Sequence, residues 1–465
     1  MGAWAVRKRV VKSARSLSLS ECGCGYTPAV RRTGLLALVW LVLALPAAAA
    51  PGALDPSFSD DGWVRTYDVF GYSKTFFPKG AEDIAIQRDG KILAVGELQD
   101  GNSHWWYGVY RWLPNGDLDR SFGSGGWVAT DLGAFPMAHA VALQADGKIL
   151  VGGQVECPNL QLCFGIVRYD PNGSIDRSFG ASGVAQATFP GSRCGCEIQD
   201  LAVQKNGRIV AVGSRFKGSD AQDDMRLAAA RFLPNGNLDS SFSHDGRVSY
   251  DFGYGDDFGS SVALQPDGKI VLGGAASFRY KTENDFAVVR LRADGKLDRS
   301  FSGDGVKTVN FRGSRYDDAY GIALDSGGRI VAAGLSAVGF RREDPRVAVL
   351  RLNRNGSLDR RFGKRLFKPG AHGGFAQAVL VDAGGGILAG GLSYDSGDLD
   401  GSAWALIRYR PNGTLDRSFG RGGTVIGDFG TGADWIGALA AQRDGRIVAG
   451  GEVYGDQALA RYLRR

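Results

Sequence analysis

The chain has 465 residues, 70 of them glycine, with 44% hydrophobic and 22% charged residues. Abundant glycine without a three-residue period excludes a collagen helix, and 9 Trp, 24 Phe and 15 Tyr exclude general disorder because they supply ample apolar surface to bury. The formal net charge of +6 invites a nucleic-acid reading, so its location matters first.

In chain order, the first element is a leader. Arg7, Lys8, Arg9, Lys12, Arg15, Arg31 and Arg32 stand against the single acid Glu21, and an apolar run over 34–45, Pro46 and four alanines follow. Basic head, short apolar stretch and small-residue cleavage site are the order of a secretory signal. Residues 1–49 are therefore expected to be a signal peptide cut after Ala49, leaving 50–465. An uncleaved membrane anchor is the alternative, since 34–53 carries no charge. Removing 1–49 takes away seven basic and one acidic residue, so Lys plus Arg falls from 55 to 48 and Asp plus Glu from 49 to 48. A neutral, exported protein lacks the concentrated basic charge that nucleic-acid binding requires. The expected location is secreted, periplasmic or cell-surface, with no membrane attachment after cleavage.

Everything after residue 53 is a repeat. Leu-Asp-x-x-Phe variants begin at Leu54, Leu118, Ile175, Leu238, Leu297, Leu358 and Leu415, and a DGK-like turn recurs at Lys91, Lys148, Arg208, Lys269, Arg329, Gly386 and Arg446. Each unit holds four strand-like runs. In the second unit they are 140–144, 148–153, 164–169 and 183–189, the first two joined by an Asp-Gly hairpin turn. Four short strands per unit predict radially arranged sheets. The last unit stops after its third strand, and the missing pieces, LDPSF and then 62–68, open the mature chain. The expected fold is all-β: one seven-bladed β-propeller over 50–465, built of four-stranded antiparallel blades and closed by the N-terminal strand joining the C-terminal blade. Closure removes an open sheet edge. A monomer is expected.

The unit ALQxDGKILVGG…FAVVRYxPNGxLDxSFGxxG resembles the bacterial delta-60 repeat, and its hairpin is similar to NHL and YWTD propellers, in which the AVALQ-like strand is innermost. That resemblance implies fold and export and supplies no activity. Units 5 and 6 depart from it, with GKRLFKPG in place of GVxTxDFG and GGR or GGG in place of DGK, so irregular blade edges are expected there. Gly-Gly pairs such as Gly152-Gly153 are expected to end strands.

Aspartates shared by all units, such as Asp119, Asp176 and Asp239, are expected to cap turns, so function should lie where the units differ. With the AVALQ strand innermost, the second-to-third and fourth-to-first connections share a face. The latter bring acids toward the channel: Glu82, Asp83, Glu197, Asp256, Asp257, Asp317, Asp318 and Asp434. Aromatics share that face, with Trp105, Trp106 and Tyr107 expected in one loop and Phe258, Tyr316, Tyr320 and Trp435 in others. Carboxylates round an axis suit a hard cation or polar ligand, and aromatics suit a sugar ring or peptide. The candidate ligand-binding residues are Trp105, Trp106, Asp257, Tyr316, Asp317, Asp318, Asp434 and Trp435. Ca2+ is the one candidate cofactor. Cys157, Cys163, Cys194 and Cys196 are expected in two disulfides, within or between their two loops. His104, His139, His244 and His372 show no ligand spacing. The expected function is an exported, non-catalytic binding propeller for a protein or glycan, using the loop-rich face and channel mouth. The alternative is a hydrolase or lyase acting on carbohydrate or peptide.

Overall fold

A computed structural model describes residues 50–67, 76–157, 161–192, 195–216, 225–253, 255–277, 283–311, 313–338, 343–394, 401–429 and 432–464. The expected signal peptide lies outside these. No helix among the described residues is long and apolar enough to cross a membrane.

Seven antiparallel sheets form seven blades. Blade 2 sets the pattern: an inner strand Met137–Leu143, a second strand Ile149–Cys157, a third Gln161–Tyr169 and an outer strand Val184–Ala187. The inner strands of successive blades neighbour one another around the ring. Second strands are buried on both faces, which is why their sequences read as unbroken apolar runs such as Ile149-Leu150-Val151. The core lies between blades. Phe164 and Phe179 of blade 2, for example, meet Ile198 and Phe232 of blade 3 in one cluster.

Closure follows the split unit. Trp63–Arg65 pairs with Ala458–Ala460 of the strand Asp456–Tyr462 and so completes blade 7. Blade 1 differs in having its inner strand divided into Phe76–Pro78 and Asp83–Ile86, both paired to Ile92–Asp100.

On the hairpin face a repeated staple joins blades. In blade 2, Asp176 Oδ1 accepts from Ser178 N at 3.0 Å and from Ser178 Oγ at 2.6 Å, while Oδ2 accepts from Arg168 Nε at 2.7 Å. The Arg168 guanidinium lies 4.5 Å over the Phe179 ring, and its Nη1 donates to the Pro234 carbonyl of blade 3 at 2.6 Å. Arg111 with Asp119, Arg231 with Asp239 and Arg290 with Asp298 repeat the arrangement. The shared aspartates thus serve the fold, as their presence in every unit implies.

The outer edges of units 5 and 6 are regular, contrary to expectation, while the ladder between the second and third strands of unit 5 slips between Ser336 and Val338. Lys364–Phe367 pairs with Val347–Leu350 in full register. Asp325 and Asp382 stand where other units have Gln, and each closes its glycine-rich turn by accepting two backbone N–H groups: Gly327 and Arg329 at Asp325, Gly384 and Gly386 at Asp382.

The Gly-Gly pairs do not end strands either; the second strand of blade 2 runs four residues beyond Gly153. A Cβ on Gly153, Gly213, Gly274, Gly334, Gly391 or Gly451 would fall between 1.8 and 2.0 Å from a carbonyl oxygen of its inner strand, and one on Gly96 2.1 Å from the Gly80 carbonyl in the interruption of the blade 1 inner strand. These glycines accommodate a β-bulge. In six blades the inner-strand register slips across one residue: His139, Gln199, Ser260, Tyr320, Gln377 and Gly437. In blade 1 Glu82 falls in the strand interruption.

Candidate functional site

A bulge re-aims one side chain out of the pleat. Glu82, His139, Gln199, Ser260, Tyr320, Gln377 and Gly437, one from each blade, line a channel cavity of about 300 Å³ together with Glu197, Ser214, Met225, Phe258 and Gly259. Three residues after this position six of the seven blades carry alanine (Ala85, Ala142, Ala202, Ala263, Ala323 and Ala440, with Leu380 in blade 6), whereas the bulge position holds six residue types in seven blades.

The cavity has two unlike walls. On blades 4 to 6, the Tyr320 ring stacks on Phe258 with centroids 6.2 Å apart and 20° between planes, and it tilts against Phe375 at 5.8 Å. The Tyr320 hydroxyl donates to Asp318 Oδ2 at 3.1 Å, which fixes the ring. On blades 1 to 3 the wall is polar: Glu82, His139, Gln199 and Glu197. Burial, reinforced by Glu97, Glu452 and Asp83, pushes the Glu82 carboxyl up to about 8. Burial also raises Glu197 and lowers the His139 imidazole to about 4. Near neutral pH Glu82 holds its proton and His139 is uncharged. His139 Nε2, Ser260 Oγ and Gln377 Oε1 are buried without a hydrogen-bond partner in the protein.

The sequence-derived candidates fall elsewhere. Asp257, Asp317 and Asp434 occupy one repeat position, directly before the inner-strand residue that precedes the bulge by two, and all are buried. Asp257 accepts from Phe252 N at 2.7 Å and Ser277 N at 2.8 Å. Asp317 accepts from Phe311 N at 2.8 Å and Ser314 Oγ at 2.6 Å. Asp434 accepts from Tyr454 N at 3.1 Å and Phe429 N at 3.3 Å. Burial outweighs these donors and pushes each of the three to about 6. Asp318 is also buried, but it turns to the other side of its strand, where Asn284 Nδ2 donates to it at 2.9 Å. The structure therefore does not gather these four carboxylates. Among the described residues no three His, Cys, Asp or Glu groups converge to hold a metal ion, so the donor set does not fit Ca2+.

Trp105 and Trp106 begin the third strand of blade 1, Trp105–Trp112, rather than lying in a loop, because they continue the ladder opposite Gln99 and Leu98. Trp106 meets His104 edge-on at 5.3 Å. Tyr107 is fully buried, its hydroxyl donating to the Gln154 carbonyl at 3.1 Å. Tyr316 is half-buried at the start of its strand. Trp435 lies against the seam of blades 7 and 1, where a Cβ on Gly80 or Gly437 would come within 3.0 and 2.7 Å of its ring.

Cys157 and Cys163 form a disulfide within their own hairpin, Cα atoms 6.0 Å apart. Cys196, expected in a second bridge, is a buried free thiol, packed with Phe164, Phe189 and Ile198. Cys194 lies outside the described residues.

Sequence reasoning passed over His139, Gln199, Ser260 and Gln377. Aligning the seven inner strands on Ala-x-x-Val-Ala-Leu-Gln would have isolated them as the variable position.

Fold and site define a β-propeller repeat protein with a channel cavity to which every blade contributes. Six segments, 87–122, 144–179, 204–242, 265–301, 328–362 and 385–419, match the family model described as "Domain of unknown function (DUF5122) beta-propeller". Each runs from the hairpin turn through strands two and three to the Phe of the staple. No curated protein matches the chain. Among solved structures it is similar to an ulvan lyase of polysaccharide lyase family PL25 (12% identity, 84% of this chain and 95% of that one, TM-score 0.45). It is similar also to the periplasmic gluconolactonase of Pseudomonas aeruginosa (14% identity, 77% and 87%, TM-score 0.44) and to the WD40 propeller domain of Doa1 (12%, 84% and 96%, TM-score 0.42).

Proposed function

We propose that the protein is an exported, monomeric, non-catalytic binding propeller of the delta-60 type, which takes its ligand in the channel and at its loop-rich mouth. The observation that carries this is the bulge ring. Seven glycines accommodate a local distortion that brings one residue from each blade, of six types in all, to a ligand-sized cavity. A purely structural channel would repeat that position as six of the blades repeat the alanine three residues on. The Cys157–Cys163 bridge supports an oxidising compartment, as does the expected signal over 1–49. At the mouth, the half-buried Trp105, Tyr316 and Trp435 add aromatic surface for a glycan or protein.

A glycan array probed with the wild-type protein and with a Gln199→Ala/Gln377→Ala variant of equal thermal stability tests the reading. Binding that the variant loses supports it; identical profiles place recognition away from the channel and overturn it.

A protonated Glu82 beside an uncharged His139 favours one second reading, a hydrolase or lyase acting on carbohydrate or peptide with Glu82 as general acid. Turnover of an array ligand that Glu82→Gln abolishes while binding persists would establish it.

A further inference from the structure

A binding channel leaves the chemistry of its ligand open, and the cavity walls narrow it; the ligand class assigned here rests on the binding function proposed for the channel. Four features set the constraints. The cavity, at about 300 Å³, stands at the small end of small-molecule sites, so it suits one ring rather than a chain. One wall is apolar and flat, formed by the stacked rings of Phe258 and Tyr320. The rest of the lining offers hydrogen-bonding groups of both kinds: carboxamides at Gln199 and Gln377, a hydroxyl at Ser260 and an imidazole at His139.

The fourth feature is charge. No lysine or arginine is among the cavity's lining residues, so a carboxylate or phosphate entering it would be desolvated without a counter-charge. Burial favours the neutral forms of Glu82, Glu197 and His139, so the cavity presents hydrogen-bonding groups rather than formal charges.

A flat apolar face with an uncharged hydrogen-bonding rim is the shape of a polyhydroxylated ring, whose C–H face packs on aromatics while its hydroxyls both donate and accept. We propose that the channel cavity binds a single neutral polyhydroxylated ring, its C–H face on Phe258 and Tyr320 and its hydroxyls toward His139, Gln199, Ser260 and Gln377. The unpartnered Nε2 of His139, Oγ of Ser260 and Oε1 of Gln377 are the groups that such a ligand satisfies.

The test is calorimetric titration of the purified protein at pH 6.5 with D-glucose, D-galactose, D-mannose and myo-inositol, alongside D-galacturonate and D-glucosamine as charged counterparts. The expected result is binding of at least one neutral ring, about tenfold or more over its charged counterpart, weakened by Gln377→Ala and by Phe258→Ala. A charged sugar that binds more tightly, and is lost in Gln377→Ala, overturns the neutral class while leaving the channel as the site. Neutral binding that neither substitution weakens overturns the placement. No heat from any probe at 50 mM overturns the proposed ligand class, and the glycan array then decides the channel reading separately. His139→Ala, which removes no hydrogen bond of the fold at Nε2, guards against a variant that fails to fold.

Discussion

Arg461, in the last strand of the chain, donates from Nε to Oδ2 of Asp55 at 2.8 Å, across 406 positions of sequence. Asp55 also receives Arg446 at 2.6 Å and accepts from Ser57 N at 3.0 Å. Arg461 in turn reaches the Pro114 carbonyl of blade 1. The same Asp–Arg pair holds blades 1 to 4 within one stretch of chain, but at blade 7 it closes the ring.

Substituting Asp55→Ala leaves the buried Arg461 without its carboxylate and is expected to cost about 3–5 kcal/mol. Asp89→Ala, which removes an exposed partner of Lys91, is expected to cost about 0–1 kcal/mol. Denaturant unfolding of both measures the contrast. Equal effects would mean that the N-terminal segment does not carry closure.

Gly153→Ala tests the bulge. Its Cβ would lie 1.8 Å from the Met137 carbonyl oxygen, so the inner strand must move. Overpacking of this kind costs about 1–3 kcal/mol, and the displaced residue is His139. A lowered melting temperature with weakened ligand binding is the expected pair of results. Unchanged melting would show that the strand accommodates the methyl group and that the glycine is not required there.

The contrast between staple and ring explains which features are legible in the sequence. Asp176, Arg168 and Phe179 recur because every blade needs the same turn and the same contact to its neighbour, and repetition is visible in one sequence. The matching ends, LDPSF and ARYLRR, are legible for the same reason. His139 and Gln377 are not, because a bulge depends on register between two strands and its residue is free to vary. Asp257 and Asp317 mislead in the opposite sense. Acids next to a channel look like ligands until the backbone N–H groups that they accept, Phe252 and Phe311, are located.

Stability is expected to fall as pH rises from about 4, the unfolded value of the buried carboxyls, to about 8. Burial, with Asp200 nearby, pushes Asp83 to about 8 despite donation from Val141 and Ile84, and burial raises Glu82 similarly. Asp200, Asp257, Asp317 and Asp434 are pushed to about 6, burial being the largest cause in each. A carboxyl whose folded pKa exceeds its unfolded value contributes stability that is complete below the unfolded value and lost as pH rises through the folded one. The staple aspartates act in reverse. Burial alone would raise Asp119, but Ser121, Lys91 and Arg111 outweigh it and hold it at about 2, so its contribution is lost in strong acid. Thermal melts across pH 3 to 9 should therefore peak near about pH 4. Glu82→Gln should flatten the decline between about pH 4 and pH 8, and a decline of the same steepness would show that Glu82 ionises freely in the fold.

The cysteines give the last prediction. The Cys157–Cys163 bridge closes a loop of sequence separation six, for which the chain-entropy contribution is about 2 kcal/mol, so reduction should lower stability modestly without unfolding the ring. Cys196 is buried among Phe164, Phe189 and Ile198, and burial raises its thiol pKa, both of which suppress thiolate chemistry. Alkylation of the unreduced, native protein should leave Cys196 unmodified, and alkylation in denaturant should add one label there. Peptide mass spectrometry reads both states. A bridge that joins Cys196 to Cys157 or Cys163 would overturn the hairpin pairing, because the core position of Cys196 and the six-residue loop cannot both hold in such a protein.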